Sequence, residues 1–283
     1  MLVKKIIEAK LLQDVLKMSA LSGGDINEVF YIQTSSRQYV VKCNKKDKFP
    51  AMFDKEAQGL RKLAQNGVNT PQVIEAFEQG EYQLLIIEHI ESERPTGLFW
   101  KNFGIHLSNL HKSSEKYFGL IYPNYIGSLE QINEKRPSWG VFFIENRIGP
   151  LVKRAFDSKY LDRKHLRWFD GFMTAYPELV PKEKPSLLHG DLWSGNLLCG
   201  RHQLPVFIDP AIYYGHREVD IAMTHMFGGF DSSYLNYYND IFPLEKGWEK
   251  RLDFHNLYPN LVHLALFGKS YLARIESVIR AFG

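Results

Sequence analysis

The sequence predicts an α+β fold in two lobes: an N-terminal antiparallel β lobe with one main helix, then a larger, mostly helical C-terminal lobe. Three observations predict it. Short apolar runs bounded by Gly, Pro, Ser and Asn dominate residues 19 to 88, and helical periodicity dominates beyond them. The switch falls at Glu88-His89-Ile90-Glu91-Ser92, where the chain turns polar, so the lobes are expected at 1–90 and 91–283. Late in the second lobe, Asn196-Leu197-Leu198 and Leu204 to Ile208 read as short buried strands, with Asp191, Asn196 and Asp209 at the tips of these apolar runs.

In chain order, Val3, Ile7, Leu11, Val15 and Met18 recur at helical spacing and predict an amphipathic first helix. Ser19 to Thr34 reads as strand, glycine turn and strand, and Gln38 to Cys43 as a third strand after the Ser35-Ser36 turn. Gly23 and Gly24 can take positive φ and let backbone amides approach a phosphate, or simply close a hairpin. Met52 to Ala64 turns helical, with Phe53, Ala57, Leu60 and Leu63 on one side, and Gly67 ends it. Gln72 to Phe77 and Tyr82 to Glu88 are two further strands. In the second lobe, helices are expected at 99–110, 139–148 and 166–176, one beginning around Asp220, and more in the Tyr-rich tail. Tyr117 to Gly127 reads as an aromatic loop whose residues pack together or line a sugar or base.

Composition narrows the classes. The 283 residues suffice for two lobes around a sizeable core, and a formal net charge of +3 with scattered Lys and Arg gives no case for nucleic acid. Two cysteines, Cys43 and Cys199, exclude a disulfide framework and a paired-Cys zinc site. His106 and His111 are five apart and share no helix face well, so they read as ordinary histidines rather than metal ligands. Acidic residues interrupt the N-terminus where a signal peptide would be apolar, and no run approaches the ~20 apolar residues of a membrane span. The expectation is a soluble cytoplasmic protein that touches neither membrane nor nucleic acid.

The buried carboxylates demand a reason, because unpaired buried charge is expensive. Metal is one, since hard cations take carboxylates together with phosphate oxygens. In phosphoryl-transfer sites an Asp accepts the proton of the acceptor hydroxyl, a following Asn holds metal, and a strand-end Asp holds the ions that bridge the phosphates. Asp191, Asn196 and Asp209 stand in that order; an Asp-Asn turn closed by side-chain hydrogen bonds is the alternative. Lys42 ends an apolar strand and Glu56 sits on the following helix, as in the ion pair that aims a lysine at nucleotide phosphates.

Taken together, the glycine turn, Lys42, Glu56, the hinge, His189-Gly190-Asp191 to Asn196 and Asp209-Pro210-Ala211 resemble the protein-kinase-like superfamily, in its aminoglycoside phosphotransferase and choline kinase branch. Within it, His189-Gly190-Asp191-Leu192-Trp193-Ser194-Gly195-Asn196, Tyr214-Gly215-His216 and Met226-Phe227-Gly228-Gly229-Phe230 resemble the fructosamine kinase (ketosamine 3-kinase) family. The resemblance implies ATP and Mg2+ as cofactors and phosphorylation of the 3-hydroxyl of a ketosamine, free or on a protein lysine. The product then decomposes and frees the amine. It implies Asp191 as proton acceptor, Asn196 and Asp209 as magnesium ligands, and Lys42 with Glu56 as the phosphate-aiming pair. Gly23 and Gly24 would lie at the phosphates, Glu88, His89 and Ile90 at the adenine, and Trp193 and His216 at the substrate. A monomer is expected. Asp25 stands where some relatives carry a Cys, so thiol regulation of the phosphate turn is not expected. The alternative is a small-molecule kinase acting on an aminoglycoside or choline.

Overall fold

The computed structural model describes residues 2–21 and 26–283; Gly23, Gly24 and Asp25, expected in the phosphate turn, lie outside the described residues. The N-terminal lobe is a five-stranded antiparallel sheet of order β1-β2-β3-β5-β4, built from β1 (Lys17–Ala20), β2 (Glu28–Gln33), β3 (Gln38–Lys45), β4 (Val73–Gln79) and β5 (Tyr82–Glu88). Helix α1 (Leu2–Leu11) covers one face and α2 (Met52–Gln65) the other.

Strand alternation assigns the faces. Val41 and Cys43 of β3 pack with Leu84 and Ile86 of β5 in the cluster under α1. Val40, Leu85 and Ile87 point the opposite way, against Phe53, Ala57 and Leu60 of α2. With a side-chain period of two, Lys42 must share the α2 face with Val40. That parity turns its long side chain toward the other lobe.

The first helix is shorter than its periodicity predicts. It stops at Leu11, Leu12 takes a positive φ of 54°, and Met18 belongs to β1. Val15 and Met18 nevertheless pack in the same apolar cluster as Ile7. The spacing therefore reported which residues are buried, while the chain reversal at Leu12 took over from helical geometry.

The C-terminal lobe begins with α3 (Gly97–His111) and the small hairpin β6 (Asn124–Ile126) and β7 (Leu129–Gln131). Helix α4 (Trp139–Phe143) runs through a π-helical turn at Ile144–Ile148 into α5 (Gly149–Asp157), and α6 (Arg163–Leu179) follows. Two short antiparallel pairs follow: β8 (Ser186–Leu188) with β11 (Tyr213–Gly215), and β9 (Leu197–Cys199) with β10 (Pro205–Phe207). Helices α7 (Glu218–Met226), α8 (Tyr234–Ile241), α9 (Leu252–Phe267) and α10 (Leu272–Ile279) close a large aromatic-rich core.

Backbone hydrogen bonds tie the lobes together: Phe207 N donates to Asn69 O at 2.8 Å, and Glu93 N to Cys199 O at 2.7 Å. Both strap the connecting segments onto the β9–β10 hairpin. The expected Leu197 and Val206 strands are thus present, with β10 anchoring the N-terminal lobe at Asn69 and β9 the segment just past the hinge at Glu93. Among the described residues no helix is long and apolar enough to cross a membrane.

Candidate active site

A cleft of about 610 Å³ opens between the lobes and is lined by Lys42, Glu56, Asp191, Asn196 and Asp209 among others. Lys42 on β3 is buried, and its Nζ donates to Glu56 Oε1 and to Asp209 Oδ1, both at 2.6 Å. The second contact joins residues 167 apart in sequence. Burial works against the Lys42 ammonium, but Asp209 and then Glu56 outweigh it and keep it protonated above the ordinary lysine range. Burial pushes the Glu56 carboxyl up, and Lys42 draws it back.

The segment that carries Asp191 is held by buried partners. Gly190 has φ 84°, and a Cβ there would collide with the carbonyl oxygen of Ala211, so only glycine allows this close approach. His189 N donates to Asp220 Oδ2 at 2.7 Å and Gly190 N to Asp220 Oδ1 at 3.0 Å. The His189 ring donates from Nε2 to Ile208 O at 2.9 Å, leaving Nδ1 to accept from Asp191 N at 3.3 Å. Burial lowers the pKa of this ring, which favours the neutral form that the arrangement requires.

Asn196 donates from Nδ2 to Asp191 O at 2.9 Å and to Asp191 Oδ2 at 3.1 Å. Its main-chain carbonyl accepts from Ile208 N at 3.1 Å, while its side-chain Oδ1 accepts no donor among the described residues. Asp209 sits at φ 54°, a costly conformation for a non-glycine residue, just past β10. Burial pushes the Asp191 carboxyl up to about 7, with Asp209 adding to the effect and the Asn196 amide opposing it. Two carboxylates and an amide carbonyl thus converge, and hard oxygen donors of this kind fit a divalent cation of the Mg2+ type.

Of the other residues singled out in the sequence, Trp193 lines the cleft, with 40% of its surface exposed. Its indole lies over Gly195, where a Cβ would collide with the ring. Glu88 ends β5, His89 and Ile90 follow it, and none of the three is part of the lining that surrounds Asp191. His89 N donates back to Gln38 O at 3.3 Å, and Glu88 N to Gln72 O at 2.9 Å. Lys42 is in register with Leu85, three residues before Glu88, so the hinge lies roughly 10 Å along the strand from the lysine.

His216 is not brought to the cleft. It is fully buried, accepts from Glu218 N, donates to Pro181 O at 3.2 Å and stacks on His255 at 5.3 Å between centroids. It is a core histidine, so its expected substrate contact is corrected here. His216, Glu218 and His255 also cluster tightly, but Glu218 is already paired with Arg251 at 2.5 Å, and both His255 nitrogens have partners in Tyr176 and Glu218. His106 and His111 do not converge either; His111 bridges Tyr238 and Asp220.

Sequence reading missed Asp220 as an active-site support and took it for a helix-start acid. One acid inside the apolar Val219-Asp220-Ile221-Ala222-Met223 run was the available signal, since a buried carboxylate needs donors. It also missed Phe227, His263, Phe267 and Tyr271, which line the cleft, whereas Asn124 to Gly127, at the end of the aromatic loop read as packing or ligand-lining, form part of its wall.

Comparison with known proteins places these features in context. The family model described as fructosamine kinase matches residues 2–282. A probable ketoamine kinase of Enterococcus faecium is 36% identical over 271 residues, covering 94% of this chain and 95% of that protein. The chloroplastic protein-ribulosamine 3-kinase of Arabidopsis thaliana is 35% identical over 275 residues, covering 94% of this chain and 82% of its own. The crystal structure of a "putative fructosamine-3-kinase" from Thermobifida fusca superposes with a TM-score of 0.88 at 31% identity, over 99% of this chain and 97% of that one.

Proposed function

The chain belongs to the fructosamine kinase family and is an ATP-dependent phosphotransferase acting on ketosamines; from that premise we propose that it phosphorylates the 3-hydroxyl, with Asp191 as proton acceptor. The observation that carries this reading is the Lys42–Asp209 contact, which closes the β lobe onto the hairpin of the helical lobe beside Asp191.

The roles follow from the donors and acceptors available. Lys42, charged and steadied by Glu56, offers its ammonium to the nucleotide phosphates. Asp191 accepts the proton of the attacking alcohol and orients its lone pair. Asn196 ties its amide to Asp191 and keeps its carbonyl oxygen for a cation, which it would hold with Asp209. When bound, Mg2+ supplies neutralisation of phosphate charge. The segment Glu88 to Ile90, roughly an adenosine's length from Lys42, takes the adenine edge. Most of the catalytic gain in such chemistry comes from positioning and charge. Release of the amine from the phosphorylated product makes the reaction a deglycation, and since every residue named comes from one chain, a monomer suffices.

An aminoglycoside is disfavoured because, among the described residues, the carboxylates that line the cleft are Glu56, Asp191 and Asp209, all committed to the phosphate end. Asp231, Asp240 and Glu245, which could have greeted a polycation, do not line it. The experiment is an ADP-release assay with ribosyl- and erythrosyl-modified lysine beside an aminoglycoside and choline, followed by NMR of the product. Phosphate on the ketosamine 3-hydroxyl is expected. Transfer to the antibiotic or choline with none to the ketosamines overturns the reading.

A further inference from the structure

The half of the cleft beyond Trp193 has a composition unlike the phosphate end. Trp193 meets Phe227 edge-on at 6.2 Å between centroids, Phe227 meets His263 at 5.1 Å, and His263 meets both Phe267 at 5.4 Å and Tyr271 at 4.8 Å. These five rings come from three separate segments: the loop after β8, the end of α7, and α9 with the turn that follows it. All five line the cleft, yet Trp193, Phe227 and Phe267 remain 40%, 39% and 50% exposed. Contiguous large apolar surface left open at a catalytic cleft marks a place where something docks.

His263 adds a directed polar atom. Its Nδ1 lies 2.7 Å from Pro259 O, one turn back on α9. A carbonyl accepts, so Nδ1 carries the proton and Nε2 is left as the acceptor of a ring that lines the cleft. Burial holds the ring's pKa below the ordinary histidine value, consistent with that neutral tautomer.

We propose that Trp193, Phe227, His263, Phe267 and Tyr271 form an amine-side subsite that takes the protonated nitrogen and apolar stem of the ketosamine's amine, such as the methylene chain of a modified lysine. The inference rests on the ketosamine reading given above. In a ketosamine the amine nitrogen stands only four bonds from the 3-hydroxyl oxygen, so an alcohol docked at Asp191 puts the nitrogen beside Trp193, two residues along the chain. Aromatic faces attract a cationic nitrogen, and the Nε2 lone pair of His263 can accept one of its hydrogens. Beyond the nitrogen, Phe227, Phe267 and Tyr271 offer apolar contact and no carboxylate. A short or carboxylate-bearing amine would leave those rings wet.

The test uses the 1-deoxy-1-alkylamino-ribulose derivatives of methylamine and hexylamine with the full-length enzyme. Both turnover and direct binding by quenching of tryptophan fluorescence are measured. The hexyl compound is expected to show about tenfold lower KM and Kd than the methyl compound, from burial of the added methylenes. In the Phe267→Ala/Tyr271→Ala double variant that ratio is expected to shrink to about threefold or less, through a rise in KM and Kd for the hexyl compound. Equal KM and Kd for the two amines in the unaltered enzyme, or a ratio untouched by the double variant, overturns the subsite. Binding that follows the expected pattern without phosphate transfer to either compound supports the subsite while refuting the ketosamine kinase reading.

Discussion

Asp220 holds Gly190 by a hydrogen bond of 3.0 Å from the glycine N–H, and its second oxygen holds the N–H of His189 at 2.7 Å. The carboxylate is fully buried, and it sits on a different element from the residues it steadies. Asp191 is therefore positioned by an acid that is remote in sequence and out of the substrate's reach. Asp220→Asn presents an amide where two backbone donors and the His111 ring converge, so one backbone N–H loses its acceptor. Loss of a charged, buried hydrogen bond costs roughly 2–3 kcal/mol. Denaturant titration is expected to show that drop, with kcat falling more than the KM for ATP.

Asp191→Asn tests the chemistry itself. The amide keeps the size of the side chain and cannot accept the hydroxyl proton, so turnover is expected to fall about 10²–10⁴-fold. Nucleotide binding should be nearly intact, because Lys42 and Asp209 are untouched. A Kd for ATP measured beside kcat separates the two effects, and unchanged turnover would remove Asp191 from the base role.

Asp209→Ala should act differently. It removes a carboxylate that contacts Lys42 and lines the same cleft as Asn196. Affinity for the magnesium–nucleotide complex is expected to fall along with turnover, whereas affinity for the metal-free nucleotide should change less. Alanine also inherits the φ of 54° at this position, so Asp209→Gly is the control that relieves the backbone. Equal magnesium dependence in the variants and the parent enzyme would contradict the ligand role.

Much of this site was legible because its parts are local. Asp191, Asn196 and Asp209 sit on short apolar runs whose order alone suggests phosphoryl transfer, and strand parity puts Lys42 on the face of α2. What was illegible depends on long-range packing. His216 stands in a stretch that resembles the family's, yet its surroundings are set by His255 and Pro181, 39 and 35 residues away. Helix α9 is enclosed on nearly every side, since residues 255 to 262 are all buried, the polar His255, Asn256 and Asn260 included. Its periodicity therefore could not say that His263 and Phe267 face a cleft. The same weakness explains the overlong first helix, where apolar spacing continued through a chain reversal at Leu12.

His216 also links stability to pH. Burial, with neighbouring His255 adding to it, lowers its pKa to about 4, although Glu183 and Glu218 pull the other way. The unfolded chain, with an ordinary histidine, binds a proton below about pH 6.5 that the folded chain refuses until about pH 4. The stabilisation is therefore complete above about pH 6.5 and declines as the pH falls toward 4. For this one group the loss from pH 7.5 to pH 5 is roughly 2 kcal/mol. Glu218, buried but drawn down to about 2 by its bonds to Arg251 and His255, extends the decline below pH 4.5. Guanidinium unfolding at pH 7.5 and pH 5 should show the drop, and His216→Gln, which cannot titrate, should lessen it by about that amount. An equal pH dependence in the variant would place the titration elsewhere.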